Sequence, residues 1–169
     1  MPQNDRLKRF PLTRAFIALL GALWMLVACT PDDNMYSEFA TMPGAQWLYT
    51  DSLEFTTSET ADSLVRGTLL VAVRHTHGYR YRNLWLEVAL PRSVAGADSL
   101  SPVRDTLDIQ LADSLGRWLG RGSGASFLLT DTVARHFTLR KGAPIRVRHI
   151  MRLDTLPDIE QVGAVFIPD

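Results

Sequence analysis

Apolar and polar side chains alternate with a period of two along most of the chain after residue 46. In residues 103–111 the odd positions are apolar from Leu107 onward, and the even positions are polar throughout. Residues 84–90 repeat the pattern up to Pro91, and residues 145–152 place mostly apolar side chains opposite arginines. This period is typical of a strand that buries one face. Further strands are predicted over residues 47–55, 64–74, 126–130, 137–140 and 162–167.

The number and length of these segments predict the fold class. About eight short strands separated by turn residues indicate an all-β protein, an antiparallel β-sandwich with a jelly-roll-like arrangement. Residues 113–119 are the one stretch with any helical character. We therefore expect the β-sandwich domain to occupy residues 46–169.

The first 28 residues have a different pattern, which predicts a cleaved signal peptide. Four basic residues precede an apolar run of twelve residues, Ala15 to Leu26, which contains no charged side chain. A transmembrane helix needs about 20 apolar residues, so this run is too short to span a bilayer. A basic segment, a short apolar segment and small residues before a processing point are typical of secretory signals.

The end of this leader predicts lipidation at Cys29. Leu26-Val27-Ala28-Cys29 resembles the bacterial lipobox, in which the cysteine thiol is acylated. Cys29 is the single cysteine of the chain and so has no disulfide partner within it. The alternative is a chance cysteine that ends an ordinary signal peptide. Residues 29–45 contain turn formers and few apolar side chains, which predicts a lipidated tether.

The residues after the cysteine suggest where the lipoprotein is sorted. Thr30, where aspartate would favour retention at the inner membrane, resembles lipoproteins of the outer membrane. The acidic pair Asp32 and Asp33 resembles signals for export to the cell surface, so a periplasmic and an external position both stay open. Removal of residues 1–28 takes away four of the 18 basic and one of the 18 acidic residues, which leaves an acidic excess of three. This charge excludes a strong electrostatic footprint for nucleic acid.

Three aromatic residues form a candidate binding surface. In an extended chain Tyr79, Tyr81 and Trp85 share a face, and Leu84 and Leu86 take the other. If the two leucines face the core, the aromatic rings point outward and could contact a partner protein or stack on a glycan. If Trp85 is in the core instead, this platform does not exist.

Closely spaced glycines at residues 116, 120, 122 and 124 allow two interpretations. A phosphate-binding loop needs a lysine and a helix N-terminus after the glycines, and the sequence that follows here is strand-like. We therefore predict a structural loop in which Gly116, Gly120 and Gly122 permit tight reversals, with positive φ at Gly116 and Gly122. Trp118 within this loop is predicted to cover one end of the sandwich.

Other candidate chemistry is sparse. His75 and His77 could face the same side of a strand, but a zinc site usually needs a third ligand, so we predict no metal site. The chain has no G-x-S-x-G motif, and its single thiol is expected to carry lipid. We accordingly expect no catalytic residues and no cofactor other than the covalent lipid, so that the protein is not an enzyme.

A series of blocks along the chain resembles the GldH family of gliding-motility lipoproteins. The blocks include Trp47, Phe55, Arg74-His75, residues 79–86, residues 111–113, Gly116, residues 118–120, Gly122, Met151-Arg152 and Val162-Gly163. Arg80 stands where the family pattern has proline. The resemblance implies an envelope lipoprotein, without enzymatic activity, whose partners are other envelope proteins of the gliding and type IX secretion apparatus. A glycan-binding envelope module is the alternative.

Overall fold

The computed structural model describes residues 35–56, 64–91, 102–122, 124–140 and 142–169. The predicted signal peptide, Cys29 and the first residues of the predicted tether lie outside these ranges. The described residues form eleven strands and one short 3-10 turn, Pro43–Ala45. No helix within them is long and apolar enough to cross a membrane.

The strands follow one another along the chain with short connections. They are β1 (Tyr36–Thr41), β2 (Gln46–Leu48), β3 (Leu53–Thr56), β4 (Leu64–Thr76), β5 (Asn83–Leu90), β6 (Val103–Gln110), β7 (Arg121–Gly122), β8 (Ser126–Arg140), β9 (Pro144–His149), β10 (Thr155–Pro157) and β11 (Ile159–Pro168). One sheet has the order β1-β11-β4-β8-β7, a second has the order β3-β9-β5-β6, and β10 pairs with β2 alone. Neighbouring strands are antiparallel, so the prediction of an all-β, antiparallel sandwich is confirmed.

Alternate side chains along the strands of the two larger sheets form the hydrophobic core. The five-stranded sheet supplies Leu69, Val71, Val73, Val162, Ala164 and Phe166, and the four-stranded sheet supplies Phe55, Leu84, Leu86, Val88, Ile109, Ile145 and Val147. Trp47 and Leu156, from the two-stranded sheet, join the same cluster. The Trp47 indole donates a hydrogen bond to the Asp51 carbonyl at 3.1 Å, which satisfies its buried N–H. Each fully buried Leu, Ile or Val contributes about 1.5–3 kcal/mol to stability.

Two predicted strand boundaries differ from the structure. The predicted strand 47–55 is divided into β2 and β3, because Trp47 pairs with Leu156 whereas Phe55 pairs with Ile145 in another sheet. The predicted strands 126–130 and 137–140 are one continuous strand, β8. The pairing of β8 with β4 shifts register on either side of Leu69. With these irregularities, β8 stays paired with β4 through residues 131–136, which separate the two predicted strands.

Residues 113–119 and the predicted tether also differ from expectation. Residues 113–119 form a turn, in which the Gly116 amide donates to the Asp113 carbonyl at 3.1 Å, and no helix forms there. Within the expected tether, 29–45, β1 pairs along its whole length with β11. Tyr36 and Ala40 pack against the core, while Phe39 stays exposed. The sandwich therefore begins at β1, because the open edge of β11 pairs with a segment whose own apolar pattern is weak.

Deletion of residues 36–41 should destabilise the mature protein. The deletion removes the β1 ladder, opens the edge of β11 and exposes the core atoms beneath Tyr36 and Ala40, which together are worth about 2–3 kcal/mol. We expect a lower melting temperature by circular dichroism, and little change when residues 30–34 are deleted instead. Equal melting temperatures for both deletions would show that β1 contributes nothing to the fold.

Candidate functional site

The outward face of the four-stranded sheet consists of short cross-strand rows. β5 lies between β9 and β6, so its outward residues Glu87 and Ala89 have a paired neighbour on either side. Ala89 pairs with Arg146 and Arg104, and Glu87 pairs with Arg148 and Thr106. Trp85 pairs with Asp108. This surface, the β5 face, therefore carries an aromatic end at Trp85 and an arginine-rich end at Ala89.

Trp85 and Tyr81 form the aromatic end of the β5 face. Trp85 is 41% exposed and Tyr81 is 36% exposed, whereas Leu84 and Leu86 are fully buried. The two rings border an open groove of about 500 Å³. Its lining residues are Tyr81, Asn83, Trp85, Ile150, Met151, Arg152 and Leu153. The Trp85 carbonyl accepts a hydrogen bond from the Ile150 amide at 2.9 Å, which holds the two walls together.

Tyr79 is not part of the exposed surface. Its ring is only 4% exposed, and its hydroxyl donates a hydrogen bond to the Asn83 carbonyl at 3.0 Å. Burial raises the pKa of Tyr79. The ring meets Tyr81 edge to face, with centroids 5.6 Å apart. The prediction that three aromatic residues share an outward face is therefore wrong for Tyr79, because the loop before β5 is not extended and turns this ring into the core.

A polar network lies beside Trp85. The Asn83 amide donates to one carboxylate oxygen of Asp108 at 2.6 Å, and the Gln110 amide donates to the other at 3.0 Å. These groups offer both donors and acceptors next to an exposed ring, which is the combination that recognises polar groups on a partner or hydroxyls on a sugar. Sequence reasoning missed Asp108 because its place beside Trp85 depends on the register of β6 against β5.

The arginine-rich end is organised around Glu87. Arg104 donates to this carboxylate at 2.6 Å, and Arg148 donates to both of its oxygens at 2.9 and 3.1 Å. The hydrogen bonds from Arg148, followed by those from Arg104, lower the pKa of Glu87, and its carboxylate raises the pKa of Arg148. The Arg148 guanidinium also lies 6.0 Å from the ring centroid of Tyr49. Glu87 thus fixes the position of two guanidinium groups.

The glycine-rich loop packs its backbone against β8. Gly116 has φ of +78°, as predicted, but Gly122 is not among the positive-φ residues. Gly120 and Gly122 lie against the backbone of β8 instead: a Cβ on Gly120 would come within 2.9 Å of the Leu128 carbonyl oxygen, and one on Gly122 would overlap that of Ser126. Gly122 is required for close approach of β7 to β8, and the expectation of positive φ there is wrong.

Trp118 lies in an aromatic cluster at one end of the core. Its ring is half-buried and contacts His75 edge to face, with centroids 4.5 Å apart. Phe127 lies 6.0 Å from the same ring. The Trp118 indole donates to Nδ1 of His77 at 3.3 Å. Trp118 therefore covers the end of the sandwich at the point where β4, the glycine-rich loop and β8 meet.

His75 and His149 are fully buried. Nδ1 of His75 donates to the Thr76 carbonyl at 2.9 Å, whereas its Nε2 and both nitrogens of His149 have no hydrogen-bond partner within the described ranges. Burial lowers the pKa of each ring, against weaker opposing contributions from nearby backbone and carboxylate groups. No group of three or more His, Cys, Asp and Glu side chains in the described ranges is placed to hold a metal ion.

Alanine at Gly122 should cost more stability than alanine at Gly116. At Gly116 the new methyl group meets no atom, so the cost is that of positive φ, about 1–2 kcal/mol. At Gly122 the methyl group must push β7 away from the backbone of β8. Urea unfolding of the two variants measures the difference, and a Gly116→Ala variant that is the less stable of the two would contradict it.

Stability should fall as the pH is lowered through 6.5. Because burial lowers the pKa of His75 and His149 below the ordinary value of 6.5, the unfolded chain binds protons that the folded chain rejects. The contribution of these two histidines to stability is therefore fully present above pH 6.5 and is lost progressively below it. Calorimetric melting between pH 8 and 5 should show this slope, and the His75→Phe/His149→Phe variant should show less of it. The exposed His136→Ala variant is the control; a slope that disappears there instead would refute the assignment.

Comparison with known proteins extends the sequence resemblance to nearly the whole sandwich. A family model for the GldH lipoprotein matches residues 34–165, which includes every strand of the β5 face and most of β11. No curated protein sequence is significantly similar to the chain. The family model matches well over half of the chain, and on this ground the protein belongs to the GldH lipoprotein family.

Proposed function

We propose that the protein is a lipid-anchored lipoprotein of the outer membrane that binds other envelope proteins of the gliding-motility and type IX secretion apparatus. Family membership identifies a gliding-motility-associated lipoprotein, and lipoproteins of this kind are membrane-associated components of the cell envelope. The GldH lipoprotein family is not known as an enzyme family. The proposed role is accordingly to bind and position partners, without chemical transformation of a substrate.

The anchor in this proposal is Cys29. Its thiol would carry a diacylglycerol and its amino group a further acyl chain, which satisfies the need for more than one chain for stable attachment. Only residues 30–35 separate Cys29 from β1. The seven Cα–Cα steps from Cys29 to Tyr36 reach at most about 25 Å when fully extended. The sandwich would therefore work close to the membrane surface, within reach of other membrane-bound partners.

The observation that carries the binding role is the exposure of Trp85 above a groove. Tryptophan and tyrosine dominate the energetic centres of protein interfaces, because a large ring can be desolvated at little cost in conformational entropy. Here Trp85 has Tyr81 and the thioether of Met151 beside it, and Arg152 lies at the edge. An apolar centre with a charged border is the usual anatomy of a protein interface.

A specific observation favours a second candidate, glycan binding. Asp108, Asn83 and Gln110 form a hydrogen-bonded network next to the exposed indole. Sugars are bound by stacking of their apolar face on an aromatic ring, with hydroxyl groups held by carboxylate and amide side chains. The protein-binding role is preferred because the groove also contains three apolar side chains, Ile150, Met151 and Leu153, that offer nothing to sugar hydroxyls.

Replacement of Trp85 should weaken partner binding without harming the fold. A photo-crosslinking amino acid at position 152, in the wall of the groove, should yield adducts with envelope proteins in living cells. The same group at position 115, which is 76% exposed on the glycine-rich loop, should yield few. Trp85→Ala should weaken recovery of those proteins by about thirtyfold or more, which corresponds to loss of a 2 kcal/mol interface centre. Its melting temperature should stay near that of the wild type.

The same experiment separates the two candidates. Adducts of equal yield at positions 152 and 115 would contradict a binding role for the groove. Absence of protein adducts, combined with saturable binding of an oligosaccharide that Trp85→Ala and Asp108→Ala both remove, would replace the protein-binding role with the glycan-binding one.

A further inference from the structure

The arginine-rich end of the β5 face contains a second pocket, distinct from the Trp85 groove. The pocket has a volume of about 230 Å³. It is lined by Ser52, Glu87, Ala89, Pro102, Arg104, Arg146 and Arg148, and it shares none of these residues with the groove. Three of its seven lining residues are arginines and one is acidic, so the pocket carries an excess of positive charge, whereas the chain as a whole is formally neutral.

The arrangement of charge across the sheet explains why the pocket exists. One row crosses four strands, with Glu54 on β3, Arg146 on β9, Ala89 on β5 and Arg104 on β6. Glu54 accepts a hydrogen bond from Arg146 at 2.8 Å, so the outer pair is neutralised. Ala89 has only a methyl group, which leaves a gap between two positive side chains. An anion in this gap would restore the alternation of charge along the row.

The spacing of the strands suits an anion with several oxygen atoms. Arg104 and Arg146 stand two strand spacings apart, about 10 Å between backbones, and their long side chains can reach a common point above Ala89. Arg104 uses one nitrogen, Nη1, for Glu87, and Arg146 uses one, Nε, for Glu54. Within the described part of the chain their other N–H groups make no side-chain hydrogen bond, so each keeps donors for a ligand.

Glu87, which also lines the pocket, holds two of the pocket's arginines in place. Glu87 lies one row away from Ala89 along β5, where it accepts hydrogen bonds from Arg104 and Arg148. These ion pairs restrict the guanidinium groups before a ligand arrives, which lowers the entropy that binding would cost. A third guanidinium, that of Arg148, stays at the pocket wall.

We propose that the pocket over Ala89 binds a phosphate group, with Arg104 and Arg146 as its two ligands. One guanidinium group can donate hydrogen bonds to two phosphate oxygens at once. A tetrahedral phosphate can therefore bind two guanidinium groups on different sides, whereas a carboxylate has only two oxygens, in one plane. The Ser52 hydroxyl, at the pocket wall, supplies a neutral donor. The phosphate can belong to a phosphorylated saccharide or to a lipid headgroup, which share this chemistry.

The site stands apart from the partner-binding role proposed above, but lies on the same face. Ala89 and Trp85 are four residues apart on one strand, which places the phosphate pocket about 13 Å from the indole. A ligand bound at one end leaves the other accessible. The two proposals can therefore fail separately. Trp85→Ala tests the groove, and substitution of Arg104 and Arg146 tests only the pocket.

Calorimetric titration of the full-length lipoprotein in uncharged detergent tests the proposal. At low salt the wild type should bind inorganic phosphate saturably, and Arg104→Gln/Arg146→Gln should lose at least about tenfold in affinity, as expected for removal of charged hydrogen bonds. Arg66→Gln is the matched control, because Arg66 is also an exposed arginine paired with a carboxylate, that of Asp169 at 3.3 Å. Ala89→Leu, which fills the gap and keeps every arginine, should abolish binding as well.

Further titrations distinguish the source of the phosphate. Glucose 6-phosphate that binds more tightly than inorganic phosphate, with no binding of glucose, would identify a phosphorylated saccharide. Tighter binding of dihexanoyl phosphatidic acid would identify a lipid headgroup. The proposal is overturned if the wild type shows no saturable binding of phosphate, if acetate binds equally well, or if Arg66→Gln loses as much affinity as the double variant.

Discussion

The pairing register of β5 is the constraint on which the rest of the binding face depends. This strand lies between β9 and β6, and its alternate residues go to opposite sides of the sheet. Leu84, Leu86 and Val88 are buried, while Trp85 and Glu87 point outward. A slip of one residue would exchange the two sets, because the side-chain period of a strand is two. Such a slip would bury Glu87 away from its arginines and expose three core side chains, so the register is strongly determined.

The five-stranded sheet supports this arrangement from behind. β4, β8 and β11 are the longest strands, and they present the opposing half of the core. β1 pairs with β11 at one edge of that sheet. β1 is the first strand of the described residues, and its pairing with β11 closes this edge of the sheet.

The β5 face combines two kinds of recognition on a rigid surface. Its aromatic end offers apolar area, and its arginine-rich end offers directed charge. Trp85 at one end and Ala89 at the other both lie on β5, so the separation of these two residues is set by the geometry of a single strand. Glu87 is central to this rigidity, because one carboxylate positions guanidinium groups from both neighbouring strands.

Local periodicity was sufficient to predict most of the strands and the fold class, because a strand that buries one face has alternating apolar and polar residues. The same rule predicted that Trp85 and Tyr81 would point outward if Leu84 and Leu86 were buried. It failed for Tyr79, which precedes the strand and turns inward to donate to the Asn83 carbonyl. It also failed for β1, where the apolar pattern is weak and pairing with β11 supplies the stabilisation.

The sequence by itself therefore determined the composition of each strand face, the single cysteine and the likeness to a lipoprotein family. Only the tertiary structure decided which faces stand side by side. Asp108 lies next to Trp85, and Arg104 and Arg146 lie on either side of Ala89, although these residues are far apart in the chain. Their positions depend on the pairing and register of three strands. Pairing and register are determined by many weak packing interactions across the whole sandwich, so they cannot be predicted from any short segment of the sequence.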